Sequence, residues 1–183
     1  MTRSHPLSLV LGMLSFAALI NPHPLAAAAA APKPHAWRSG LVWLEPAGFD
    51  PRTLEGRVVI VEFWTFDCIN CRRTIPAMRA LRARLGDDVS IVGVHTPELD
   101  HERDAANVRR AIEREKITFP VAQDNAFTAW RAFDNHYWPA IYVLDRDGRI
   151  RHAHIGELHQ GTPRWDRLLQ VVEGLRAAPG KRG

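Results

Sequence analysis

Between residues 57 and 94 the spacing of apolar positions changes twice. Arg57 to Trp64 (RVVIVEFW) is a continuous β-branched and aromatic run broken only by Glu62, the pattern of a strand covered on both faces. From Cys71 to Leu85 the apolar residues Ile75, Met78, Leu81 and Leu85 recur at helical spacing, while Arg72, Arg73, Arg79, Arg82 and Arg84 take other positions. This predicts an amphipathic helix. Gly86 ends it, and Val89 to Val94 (VSIVGV) predicts a second buried strand. Strand, helix and strand with short joints make a βαβ unit with parallel strands.

Downstream, Asp104 to Glu115 sets Ala105, Val108 and Ile112 on one stripe among charges, which predicts a surface helix. Phe119 to Ala122 is a short extended piece, and Asp124 or Asn125 can cap a helix carrying Phe127, Trp130 and Phe133. Ala140 to Leu144, the turn Asp145-Arg146-Asp147-Gly148 and Arg149 to Ile155 predict a β-hairpin by the Asp-Gly signal. Thr162 and Pro163 open a closing helix that buries Trp165, Leu168, Leu169 and Val172. Residues 32–40 read as a linker, 41–177 as one domain and 178–183 as a tail.

The N-terminal stretch bears on location. Arg3 and His5 precede an uncharged run from Leu7 to Ile20, and Asn21-Pro22-His23-Pro24 leads towards an alanine tract from Ala26 to Ala31. A basic start, an apolar stretch and a small-residue zone are the order of a secretory signal. Residues 1–31 are therefore expected to be a signal peptide, cut somewhere in 26–31. The apolar run falls short of the roughly 20 residues that a spanning helix needs. A periplasmic or otherwise exported chain, without stable membrane insertion after cleavage, is the expectation.

Composition narrows the function classes. At 46% apolar and 24% charged residues, usage is that of a globular protein. The 24 Lys+Arg and 20 Asp+Glu are interleaved, so no nucleic-acid partner is expected. The two cysteines, Cys68 and Cys71, are three positions apart. They exclude a multi-bridge scaffold. In an oxidising compartment such a pair either closes a structural bridge or turns over, and a bridge across so short a loop constrains the unfolded chain little. No metal is expected, because zinc needs four donors and the pair has no His-x-x-x-His partner. His152 and His154 alternate on a strand and read as solvated; His95 and His136 are the histidines that folding could bring to the pair.

Cys68 falls where the first strand has ended and the helix begins. A sulfur there faces unpaired backbone N–H groups and the positive end of the helix dipole, which favours the thiolate. Cys71, one turn further in, points toward the core. The outer sulfur can attack a partner and the inner one can resolve the mixed disulfide. Asp67 opposes thiolate formation, whereas Arg72 and Arg73 favour it. Glu62 interrupts an otherwise apolar strand, and burial would raise its pKa toward the range where it can exchange protons near neutrality. The competing reading puts Glu62 at a solvent-facing edge or in an ion pair.

Phe63-Trp64 before the pair, Cys68-Ile69-Asn70-Cys71, Pro76 five positions after the second cysteine, Tyr137-Trp138-Pro139-Ala140 before a strand, and an inserted segment between the two halves form a specific combination. It resembles the thioredoxin superfamily and, within it, the exported thiol-disulfide oxidoreductases of the TlpA type, close to the soluble C-terminal domain of DipZ-type electron-transfer proteins. The resemblance covers about residues 41 to 177. It implies an α/β, thioredoxin-like fold: a central mixed sheet flanked by helices, with an inserted strand-helix segment between its halves. It implies a cis Pro139 lying against the disulfide and Glu62 buried beneath Cys71. Trp64, Asn70, Trp138 and Pro139 are the expected substrate surface. The implied activity is exchange of disulfides with protein substrates, with no bound cofactor and a membrane electron donor of the DsbD or CcdA kind; a reductase is the expectation, with isomerase and oxidant left open. The dipeptide Ile69-Asn70 is neither the Gly-Pro of cytosolic thioredoxin nor the histidine-containing pair of strong oxidases, so no reduction potential carries over.

Two other classes compete. Thr65-x-x-Cys68 imitates the peroxidatic Thr-x-x-Cys of peroxiredoxins, although those place a proline seven before the cysteine and Val61 stands there. A thiol chaperone or docking module would hold partners by an exposed apolar rim without turnover.

Overall fold

The computed structural model describes residues 36–178. The expected signal segment, residues 32–35 of the linker and residues 179–183 of the tail lie outside that range. Six strands, β1 (Val42–Glu45), β2 (Val58–Trp64), β3 (Val89–His95), β4 (Val121–Gln123), β5 (Ala140–Leu144) and β6 (Ile150–Ile155), form one sheet in the order β1-β4-β3-β2-β5-β6. The helices are α1 (Ile69–Leu85), α2 (Ala105–Arg114), α3 (Thr128–Ala132) and α4 (Pro163–Ala177). β3 runs parallel to β2 and to β4, whereas β5 is antiparallel to β2 and β6. This is the expected mixed sheet, with α2 and β4 as the insertion between its halves.

Every residue of β2 is buried, because the strand lies mid-sheet with helices on both sides. Strand alternation separates its side chains. Val58, Ile60 and Trp64 join the core beneath α1, α2 and α4, which contribute Ile75, Met78, Val108, Ile112, Trp165 and Leu168. Val59, Val61 and Phe63 join the opposite core, with Trp37, Ala129, Phe133 and Tyr142. By the same alternation Glu62 belongs to the α1 side, where the hydrocarbon packing offers it no compensating charge.

Several boundaries differ from the sequence expectation. Helix α1 begins at Ile69, with Cys68 as its N-cap, and includes Pro76, which has no N–H to give the turn before it. Helix α3 is a single short turn whose entry residue Phe127 has φ 57°; Asp124 still caps it, accepting from the amides of Thr128 and Trp130. Strand β1 falls where no strand is predicted. Trp37, within the expected linker, is buried against Phe133 at 5.5 Å between ring centroids. The packed domain therefore extends to the first described residues.

Candidate active site

The site forms where β2 hands over to α1. Thr65, Phe66 and Asp67 bridge them, and the backbone turns so that the Cys68 sulfur accepts the Cys71 N–H at 3.2 Å. Cys68 is partly exposed and Cys71 wholly buried, both as free thiols. The Cys71 thiol hydrogen-bonds the Cys68 sulfur, and with the amides of Cys71 and Asn70 it lowers the Cys68 pKa to about 7, against burial and the charge of Glu98. The same thiol–thiol bond and burial push Cys71 far up. One sulfur is thereby poised as an anion and the other holds its proton.

Glu62 is fully buried, and neither carboxylate oxygen has a hydrogen-bond partner. Burial, followed by the charge on Cys68, raises its pKa to about 8. The solvent-facing and ion-paired alternatives for Glu62 therefore fail. Its charge in turn adds, as the smallest of the causes, to the raised proton affinity of Cys71.

The loop after β3 closes over the approach to Cys68. Thr96 N–H donates to the Trp64 carbonyl at 3.0 Å, and His95 stacks on Phe66 at 5.5 Å. Thr65 gives its hydroxyl proton to Glu102 and meets His95 Nε2 at 3.2 Å. A hydroxyl has one proton to give, so His95 donates from Nε2, leaving buried Nδ1 without a partner. Burial pushes the His95 pKa down to about 4 and keeps the ring neutral. Glu102 is itself enclosed. Burial opposes its ionisation, but bonds from Thr65, Leu99, Glu98 and Asp67 outweigh this and hold its pKa below the usual range.

The third side comes from the segment before β5. The Trp138–Pro139 bond is cis. Trp138 is half-buried and lies tilted against Trp130, ring centroids 4.2 Å apart, and Pro139 is buried. Tyr137 before β5, Ile69 at the start of α1 and Leu99 after β3 are exposed apolar residues. Asn70 is exposed beside them, its carbonyl taking the Thr74 hydroxyl at 2.9 Å.

Some expected roles change. Trp64, expected at the substrate surface, is wholly enclosed, with its ring edge-on to His95 at 5.2 Å; it shapes the site from beneath. Arg72 and Arg73 do not serve the thiolate, because they reach Glu115 at 3.2 Å and Glu157 at 3.3 Å. Asp67 is engaged by His101 at 2.5 Å. His154 is buried, its Nε2 against the Glu157 carbonyl at 3.0 Å, because the chain folds back after β6. Thr65, on which the peroxidase reading rests, spends its hydroxyl on Glu102 and His95. Glu102 is the site residue that sequence reasoning missed, and the sequence marks Thr65 only as part of a peroxidatic motif; the one trace of Glu102 is a glutamate positioned to cap the turn starting after Leu99.

Residues 48–153 match the model of the AhpC/TSA family. Protein DipZ of Mycobacterium tuberculosis is 38% identical over 119 residues, 63% of this chain and 17% of that protein. The chain thus spans about a sixth of the length of that relative. Thiol-disulfide oxidoreductase YkuV of Bacillus subtilis is 28% identical over 121 residues, 66% of this chain and 78% of YkuV. Among solved structures, a thiol-disulfide isomerase from Corynebacterium glutamicum superposes with a TM-score of 0.63 at 23% identity, covering 75% of this chain and 92% of that one. The fold is thioredoxin-like.

Proposed function

Since this chain belongs to the AhpC/TSA family and has the fold of thiol-disulfide oxidoreductases, we propose that it is an exported enzyme that reduces protein disulfides through Cys68 and Cys71. The observation that carries this reading is the inequality of the two thiols: an accessible sulfur with pKa about 7 on the helix N-terminus, and a buried one held protonated beside it.

The Cys68 thiolate attacks one sulfur of a substrate disulfide. The substrate S–S bond breaks, the leaving thiolate takes a proton, and a mixed disulfide joins Cys68 to the substrate. Cys71 then passes its proton through a bridging water to Glu62 in its ionised form, the form populated as pH approaches 8, and attacks the Cys68 sulfur, expelling the second substrate thiolate. Two electrons pass to the substrate, and Cys68 and Cys71 end as a disulfide. A dithiol donor must reduce that disulfide for the next cycle; a membrane donor of the DsbD or CcdA kind fits an exported enzyme.

Trp138 and Pro139, with Ile69, Asn70, Leu99 and Tyr137 around Cys68, form the surface that receives an extended substrate segment. Export rests on the N-terminal signal pattern. The reductant direction is supported by a nucleophile pKa of about 7, near that of thioredoxin and well above the value of roughly 3.5 in the oxidant DsbA. The deciding experiment is the equilibrium potential of the Cys68/Cys71 pair against glutathione, together with insulin reduction. A potential near about −270 mV supports a reductase, and one near about −120 mV would make the protein an oxidant.

A further inference from the structure

We infer, resting on the protein-disulfide exchange proposed above, that Glu102 is a positioning residue that fixes the substrate rim, and thereby gives the enzyme its preference for protein disulfides over small ones. The two oxygens of Glu102 divide their work between two loops. Oε1 accepts from the Thr65 hydroxyl and from the Asp67 amide at 3.2 Å, on the approach to Cys68. Oε2 accepts from the amides of Glu98 at 2.7 Å and Leu99 at 2.8 Å, in the loop after β3. One carboxylate thus staples the nucleophile's approach loop to the segment that presents Leu99, which is 49% exposed.

The staple has a mount of its own. Gln123, on β4, donates to the carbonyls of Glu102 at 3.3 Å and Arg103 at 3.0 Å. Asn125 also reaches the Arg103 carbonyl at 3.0 Å, and Asn107 reaches that of His101 at 2.8 Å. The turn Asp100–Arg103 is held by Gln123 of β4, by Asn125 and by Asn107 of α2, while its one inward side chain extends to the site. None of the Glu102 bonds reaches a sulfur. The donors that make Cys68 an anion lie in α1 and in Cys71. Loss of the staple should therefore disturb the rim, and it reaches Cys68 only through the charge of Glu98, the smallest of the influences on that thiol.

The task needs two acceptor oxygens on one side chain. Glutamine offers one acceptor and two donors, so it must turn an N–H toward either the Asp67 or the Glu98 and Leu99 amides, and one loop comes free.

The experiment compares the wild type, Glu102→Gln, Leu99→Ser and the double variant on insulin and on hydroxyethyl disulfide, with dithiothreitol as reductant. Glu102→Gln is expected to raise KM for insulin about tenfold with kcat within about twofold, the scale of one lost charged hydrogen bond. The rate on hydroxyethyl disulfide is expected to change less than about twofold. The double variant should be no worse than the poorer single one, because both act through the same rim. Equal losses on the two substrates, or fully multiplicative effects in the double variant, would overturn the inference. Should Glu102→Gln not fold by circular dichroism, Thr65→Val removes one donor from the same carboxylate; its insulin KM should rise about threefold, and an unchanged KM overturns the inference equally. A wild type inactive on insulin defeats the exchange reading itself. An active wild type with an unaltered Glu102→Gln defeats only the role of Glu102.

Discussion

The indole nitrogen of Trp138 donates to the carbonyl of Thr96 at 3.0 Å, tying the segment before β5 to the loop after β3. Two sides of the cysteine site are thereby set by a bond between residues 42 positions apart. Trp138→Phe keeps an aromatic ring against Trp130 and removes the donor. It is expected to destabilise the fold by about 1 kcal/mol and to raise KM for insulin, read by urea unfolding and steady-state kinetics. An unchanged KM would free Trp138 from the substrate surface.

The two thiols should separate cleanly in alkylation. Iodoacetamide should modify Cys68 with a pH midpoint of about 7 and leave buried Cys71 nearly untouched in the folded protein. Cys68→Ser should abolish insulin reduction, and Cys71→Ser should accumulate substrates as mixed disulfides on Cys68. Peptide mapping that finds Cys71 labelled first would reverse the assigned roles.

Glu62 predicts a pH dependence with a definite sign. Its pKa is raised in the folded chain, from 4.5 to about 8, so between those values the folded state holds a proton that the unfolded state has released. Stability is therefore fullest below about pH 4.5 as far as this group is concerned, falls as pH rises toward 8, and levels above it. The loss is on the order of a few kcal/mol. Glu62→Gln should flatten that fall in urea titrations at successive pH values. The same variant should slow resolution of the mixed disulfide near pH 7 far more than the first attack by Cys68. Resolution with an unchanged rate across pH 6 to 9 would remove Glu62 from proton transfer.

Peroxide chemistry should be slow. Thr65 is committed to Glu102 and His95, and Arg72 and Arg73 to acids away from Cys68. Stopped-flow oxidation of the reduced protein by hydrogen peroxide should proceed at a rate within about tenfold of a free thiol at equal thiolate fraction. A rate orders of magnitude higher would favour the peroxidase reading.

Much of this arrangement is legible in the chain because it depends on local period. The apolar run of β2, the helical return of Ile75, Met78 and Leu81, and the Asp-Gly turn each declare themselves within a few residues. The cysteines follow from that frame, since a strand-to-helix junction fixes where Cys68 must sit. The staple is different in kind. Thr65, His95 and Glu102 are polar, lie on no shared stripe, and meet only through pairing of β2 with β3 and the return of the insertion. β1 escapes for a related reason: four residues at a sheet edge, partly exposed, carry too little pattern. Gly93 is another silent position. It pairs with Glu62, and an added Cβ there would lie 3.0 Å from the Trp64 indole nitrogen, so it is a packing gap inside a strand, with no turn to advertise it.

Cys68, proposed as the attacking sulfur, is also the N-cap of α1. A thiolate in that place stabilises the helix start by roughly 0.3–1 kcal/mol through the dipole, and a neutral disulfide sulfur does not. Each catalytic turn therefore alternately tightens and loosens the first helical turn. Amide hydrogen exchange at Cys71 and Arg72 becomes a gauge of oxidation state, faster in the oxidised protein. The reduced form gains from the backbone itself, which makes the helix a silent contributor to the electron balance.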